Sequence, residues 1–253
     1  MLNAIYCEFL KLKKSHFYLG LILIASFIPI ALFITHCVNG EHLTWNSYFF
    51  EVEQLYFVYF SLAMSSLISA YIFTKEFSYK TISSLFCYPV NRVKIFFSKL
   101  VVILISTILL FFLQFSLTTL ANFFNTQEAF TFKILYNHLI IYFYHLLSLC
   151  SILPIAILIA LLCKNIVLPI IYGFIISVFN MIALFTFSQN LRNYVPTFHP
   201  LLAFANSIND NRGNIVVTLS KMPLSTSSLI TDLIFFIVGI YFCILYYCKC
   251  EVK

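Results

Sequence analysis

The residues with the most obvious chemical capacity lie between positions 74 and 99. There Lys75, Lys80, Arg92, Lys94 and Lys99 accompany a single acid, Glu76. Only 9% of the chain is charged, so this concentration needs a cause. Five cations and one carboxylate suit contact with a partner surface or an ion-pair network. They do not form the paired carboxylates of acid–base catalysis. Within the apolar runs, Gln114 and Asn180 are the strongly polar interruptions, and Asp232 is an acid near one end of a run. Each can offer a contact to a cargo or an interhelical hydrogen bond, and a helix N-terminus suits a carboxylate at the position of Asp232. His138 and His145 are seven residues apart and share a helix face. That spacing could serve a metal or a proton relay. No carboxylate lies in the same run to orient the rings, however, so both are expected to be interfacial polar anchors.

Several chemistries are excluded. The glycines are Gly20, Gly40, Gly173, Gly213 and Gly239, and none forms the spacing of a phosphate-cradling loop. The chain therefore has no such loop with which to hydrolyse ATP. Neither a zinc-protease H-E-x-x-H nor a nucleophile elbow occurs. The eight cysteines contain no C-x-x-C pair, so a disulfide framework or zinc site is not expected. No catalytic, cofactor-binding or metal-binding residue is expected. Ion-coupled carriers place ionisable groups at mid-membrane, and these apolar runs hold none near their centres.

The elements that must position these residues follow from hydropathy. The chain has 253 residues, of which 62% are apolar, with a mean hydropathy of +0.97. A soluble domain is about 45–50% apolar. The fold class is therefore all-α, a polytopic membrane protein forming one transmembrane domain over 1–253. Six spans are expected at 17–36, 55–73, 97–121, 138–162, 166–188 and 228–247, each long enough for a helix to cross a bilayer. Unbroken runs such as Leu100–Leu113 and Leu233–Tyr247 do not alternate as barrel strands would. One side would hold Lys11, Lys13, Lys14, the 74–99 cations, Lys164, Lys249 and Lys253, and the other Lys133, Arg192, Arg212 and Lys221. Eleven cations against four put both termini in the cytoplasm. The formal charge of +6 is thus a topology signal and implies no nucleic-acid partner.

Finer elements are legible too. Residues 2–16 read as an amphipathic helix lying in the membrane plane, against lipid. Leu2, Ile5, Tyr6, Phe9 and Leu12 share one face, with Asn3, Glu8, Lys11 and Lys14 elsewhere. Residues 37–54 read as an outer loop. Phe77, Ile82, Leu85 and Phe86 set against Lys80, Ser83, Ser84 and Cys87 read as a short cytoplasmic helix, which Pro89 ends. Asn91 caps a long helix from Arg92 to about Asn122. Cys163–Asn165 forms a tight turn, Pro154 and Pro169 kink their helices, and 189–226 forms re-entrant or interfacial helices.

Three stretches carry a family resemblance: Glu8-Phe9-Leu10-Lys11-Leu12-Lys13-Lys14-Ser15 before the first span, Lys75-Glu76-Phe77-Ser78-Tyr79-Lys80-Thr81 after the second, and Pro89-Val90-Asn91-Arg92 with Lys99 before the third. With six spans and this length, the chain resembles the membrane subunits of type 2 ABC transporters. The likeness is to the small bacterial permeases of lantibiotic immunity and bacitracin resistance. That resemblance implies a multi-pass permease of the bacterial cell membrane, non-enzymatic, paired with a second copy or a sister permease. ATP and magnesium would be bound by a separate ABC ATPase subunit. The expected cargo is an amphipathic antimicrobial peptide, exported for immunity or resistance. A drug, a lipid-linked compound or sodium is the alternative cargo, and a non-transporting scaffold or sensor the alternative role. The family's coupling helix would fall on Glu76, Phe77, Lys80, Ile82, Ser83, Leu85, Phe86, Pro89 and Arg92. From the residues alone, Glu76 could equally form a local salt bridge with Lys80, worth a few tenths of a kcal/mol.

Overall fold

The computed structural model describes residues 2–13, 15–40, 44–79, 81, 91–125, 130–186, 194–196, 208–209, 215–216 and 226–249. Its helices are α1 (Leu2–Lys13), α2 (Phe17–Asn39), α3 (Trp45–Leu55), α4 (Ser61–Ser78), α5 (Arg92–Asn125), α6 (Phe132–Cys163), α7 (Val167–Thr186) and α8 (Thr226–Lys249). A π-helical turn, Tyr56–Phe60, joins α3 to α4 without a break. Two-residue strands β1 (Ile208–Asn209) and β2 (Ile215–Val216) pair antiparallel, with Ile208 opposite Val216. Among the described residues the regular structure is otherwise helical. Five helical stretches among the described residues are long and apolar enough to cross a bilayer: Phe17–Asn39, Trp45–Ser78, Arg92–Phe124, Phe132–Cys163 and Ser227–Lys249. The apolar stretch described in α7, Val167–Asn180, is shorter.

The rod formed by α3, the π turn and α4 is the most buried of these stretches. It packs on α5, α6 and α7, while α2 lies along α5 and α8 along α6. Helices α2 and α8 turn apolar side chains outward, including Leu19, Leu23, Phe27, Ile30 and Ile34 at helical spacing, as a lipid-facing surface requires. Small residues allow the closest helix approaches. A Cβ on Gly173 of α7 would lie 2.9 Å from Ala63 Cα and 3.0 Å from the Leu62 carbonyl on α4. Gly173→Leu is therefore expected to cost about 1–3 kcal/mol and to lower the thermal midpoint of the purified protein. Gly20→Leu, where nothing lies within 4 Å, should leave it unchanged; equal midpoints for the two variants would contradict this packing.

Several local expectations hold. Helix α5 begins at Arg92, with the Asn91 side-chain oxygen accepting from the Val93 amide at 3.0 Å. Helix α6 ends at Cys163. Lys164 takes a left-handed conformation there, and Asn165 accepts from the Val167 amide.

Others need correction. Most of the expected 37–54 loop is helical, because α2 runs on to Asn39 and α3 begins at Trp45. Thr44 caps α3 by accepting from the Ser47 amide, and Trp45, Tyr48, Phe49 and Val52 bury one face. Pro169 lies in the first turn of α7, where a missing N–H is not needed, and not in a helix interior. Helix α1 stops at Lys13, and the split between its expected lipid face and its polar face is not the one that packs on the bundle. Glu8 and Leu12 are buried, whereas Leu2 and Tyr6 are exposed. In the 189–226 segment, the described residues include the strand pair and Pro196, whose carbonyl accepts from the buried Ser148 hydroxyl of α6 at 2.9 Å.

Candidate functional site

Sequence neighbours place Glu8 and Lys11 one turn apart on α1, Glu76 in the last turn of α4, and Lys99 in the third turn of α5. The fold brings the four together. The Lys99 ammonium is fully buried and lies 3.0 Å from Glu76 Oε1 and 3.4 Å from Glu8 Oε2. It also donates to the Ile72 carbonyl at 3.2 Å, so each of its three hydrogens has an acceptor. Lys11 Nζ lies 2.9 Å from Glu76 Oε1 and also pairs with Glu8. Two acids and two bases thus close a neutral square that ties α1, α4 and α5. Neutrality is what allows Glu8, Glu76 and Lys99 to be buried, with Lys11 closing the square from the exposed side. Burial works against the Lys11 charge, yet the Glu76 and Glu8 carboxylates outweigh it and hold the Lys11 pKa above the usual lysine value. The stabilisation from this shift is complete below the ordinary lysine pKa and is lost only as pH rises through the raised one. It does not vary near neutrality.

Further ties surround the square. Lys75 Nζ donates to the Lys11 carbonyl at 3.1 Å. Arg92 donates to the Cys248 carbonyl at 2.8 Å, joining the start of α5 to the end of α8. Lys164, in the α6–α7 turn, sits over the Phe77 ring at 5.5 Å. Immediately beyond α4 the Thr81 amide donates to the Glu76 carbonyl, so the helix ends at the square. Lys80, Ile82, Ser83, Leu85, Phe86 and Pro89 lie outside the described residues. Among the remaining coupling candidates, Glu76 is buried and Phe77 and Arg92 are partly buried. Among the described residues, Lys11 and Lys99 are the cations that the structure places on Glu76.

A second polar group lies toward the other end of the bundle. On α6, His138, Tyr142, His145, Ser148 and Ser151 recur every three or four residues and are all buried. His138 is not an interfacial anchor. Its Nδ1 lies 2.7 Å from Glu53 Oε1 with both side chains fully buried, and its Nε2 lies 3.3 Å from Asn46 Oδ1. Phe49 stacks on the same ring at 4.4 Å. His145 stacks on Phe57 of the π turn at 3.8 Å, and its ring nitrogens have no hydrogen-bond partner among the described residues. The other acid of α3, Glu51, lies 2.9 Å from His36 of α2. Each acid of α3 therefore meets a histidine from a different helix.

Sequence reasoning missed Glu53 because it fell in an assigned loop. The usable signal was the helical recurrence of Tyr48, Phe49, Val52 and Tyr56 around it. Gln114, Asn180 and Asp232 are all buried, on α5, α7 and α8 respectively. Neither amide atom of Gln114 has a hydrogen-bond partner among the described residues.

Residues 4–180 match the family described as ABC-2 family transporter protein. The chain belongs to that family. No curated protein matches it. The ABC-2 match begins in α1 and ends at Asn180 in α7, so it spans both the ion square and the Glu53–His138 pair. An ABC-2 chain of this kind is the membrane component of an ABC transporter, and the family implies an ABC ATPase as its partner. This ABC-2 protein, with several apolar helices, is a multi-pass membrane protein.

Proposed function

We propose that the chain is the non-catalytic permease subunit of an ABC exporter, with six spans and both termini in the cytoplasm. Its cargo is an amphipathic compound taken from the membrane, and an antimicrobial peptide of the lantibiotic type fits best, expelled for immunity or resistance. The permease pairs with a second copy or a sister chain. A separate ATPase binds ATP with magnesium and docks on the 77–88 segment.

The observation that carries this reading is the closed ion square at the root of that segment. Glu76 is held by Lys99 and Lys11, so a push on the following residues reaches α1, α4 and α5 together. Glu76 acts by fixing the base of the coupling segment, while Ser83 and Ser84 lie within it. The spans then shift between two states as the ATPase dimer closes, as a two-state element must.

Cysteines at Ser83 or Ser84 should crosslink to the ATPase in the assembled complex, and a cysteine at Asn211 should not. Capture through Lys164 or the C-terminus but never through Ser83 or Ser84 would overturn the assignment. The topology has its own test. Reporter fusions after Lys14, Arg92, Lys164 and Lys253 should report the cytoplasm, and those near Glu51, Gln127 and Asn211 the outside. An external signal at Arg92 would remove the basis for docking there.

A further inference from the structure

The corner between α1 and α2 holds a groove of about 440 Å³. Helix α1 ends at Lys13, the chain turns through Ser15 and His16, and α2 starts at Phe17. Phe9, Leu10 and Leu19 give the groove an apolar wall, and Lys13 and His16 stand at its edge. Tyr18 is pinned behind it by a 3.0 Å hydrogen bond to Ser106 of α5. The apolar wall continues onto the exposed face of α2 through Leu23 and Phe27, the surface that meets lipid tails.

Two observations select the occupant. The first is charge. The neighbouring cation Lys11 is committed to Glu8 and Glu76, whereas Lys13 is exposed and forms no ion pair among the described residues. The second is contrast with two other grooves among the described residues. One lies between Pro154 and Phe242, the other between Pro29 and Phe124, and both are lined without a charged residue. Those two suit lipid tails of any kind. At the α1–α2 corner a cationic edge joins an apolar wall, which matches a molecule with an anionic head and a hydrocarbon tail.

We infer that the α1–α2 corner is a binding site for one anionic phospholipid, its phosphate on Lys13 and His16 and an acyl chain along Phe9, Leu10 and Leu19. The inference rests on the membrane placement of α1 proposed above. A lipid seated there would brace α1 from the side opposite the ion square. The anionic lipid content of the membrane would then influence how firmly α1 holds α4 and α5.

The test uses the purified full chain in nanodiscs of equal phosphatidylcholine and phosphatidylglycerol, with retained lipid identified by native mass spectrometry after release. Wild type should retain phosphatidylglycerol at least roughly fivefold over phosphatidylcholine, as expected for cations near an anionic surface. Lys13→Ser combined with His16→Ser should abolish that preference. Leu19→Trp, which fills the groove, should reduce retention of both lipids. These are surface changes, and an unaltered thermal midpoint will show that the fold is intact. Equal retention of the two lipids by wild type, or a preference that survives the double charge change, would overturn the site. Reporter fusions read the orientation of α1 independently, so an inverted topology and an absent lipid site give different results.

Discussion

Lys99→Met is expected to lower the stability of the purified protein by about 3–5 kcal/mol, the usual effect of removing one partner from a buried ion pair. The reason is local. Glu76 and Glu8 would remain beside a single cation, Lys11, in a place sized for two. Hydrogen exchange should rise first over Leu2–Lys13, because α1 is held to α5 partly through this contact. ATPase stimulation in the assembled complex should fall in parallel. Pairing Lys99→Met with Glu76→Gln should recover part of the loss, since it removes the uncompensated carboxylate together with its cation. If the single variant unfolds at the wild-type midpoint and α1 stays protected, the square does not hold these helices together.

The second large effect is expected at the other end of the same rod. Glu53→Ala should destabilise by about 1–3 kcal/mol or more, because it leaves His138 Nδ1 without its hydrogen-bond partner in a fully buried position. Glu51→Ala removes a similar carboxylate–imidazole contact, but one that solvent reaches. It should cost no more than about 1 kcal/mol. Thermal midpoints of the two variants, measured side by side, give the comparison. Equal losses would mean that the buried pair has no special hold on α3.

These two clusters show what the sequence made legible. Hydropathy, caps and turns act over a few residues, and so the start of α5 at Asn91–Arg92 and the Lys164 turn could be read directly. Ion-pair partners act across the fold. Glu8 and Lys99 are 91 positions apart, and Glu53 and His138 are 85 apart, so no local pattern links them. A charged residue also reads as exposed until its partner is known. Sequence alone therefore puts Glu8 on the polar face of α1 and Lys99 among the cytoplasmic cations of 74–99, though both are buried. The helical start at Trp45 is hidden in the sequence for a related reason. Glu51 and Glu53 lowered the apparent hydropathy of a segment whose aromatic face is buried.

The rod from Trp45 to Ser78 is anchored by a carboxylate near each end, Glu53 to α6 and Glu76 to α5. Its length is consequently under a constraint that composition does not reveal. Adding or deleting one residue in a plain α-helix turns everything beyond it by about 100°. Between Ser61 and Ile72 such a change would swing Glu76 away from Lys99 while Glu53 stayed in place. At Tyr56–Phe60 the rule differs. An i→i+5 turn already holds one residue more than an α turn, so a single deletion there can be absorbed by reverting to α-helix, with both anchors still aligned. Natural variation in the length of this helix should therefore be confined to the π turn, and relatives one residue shorter should carry an unbroken α-helix at that point.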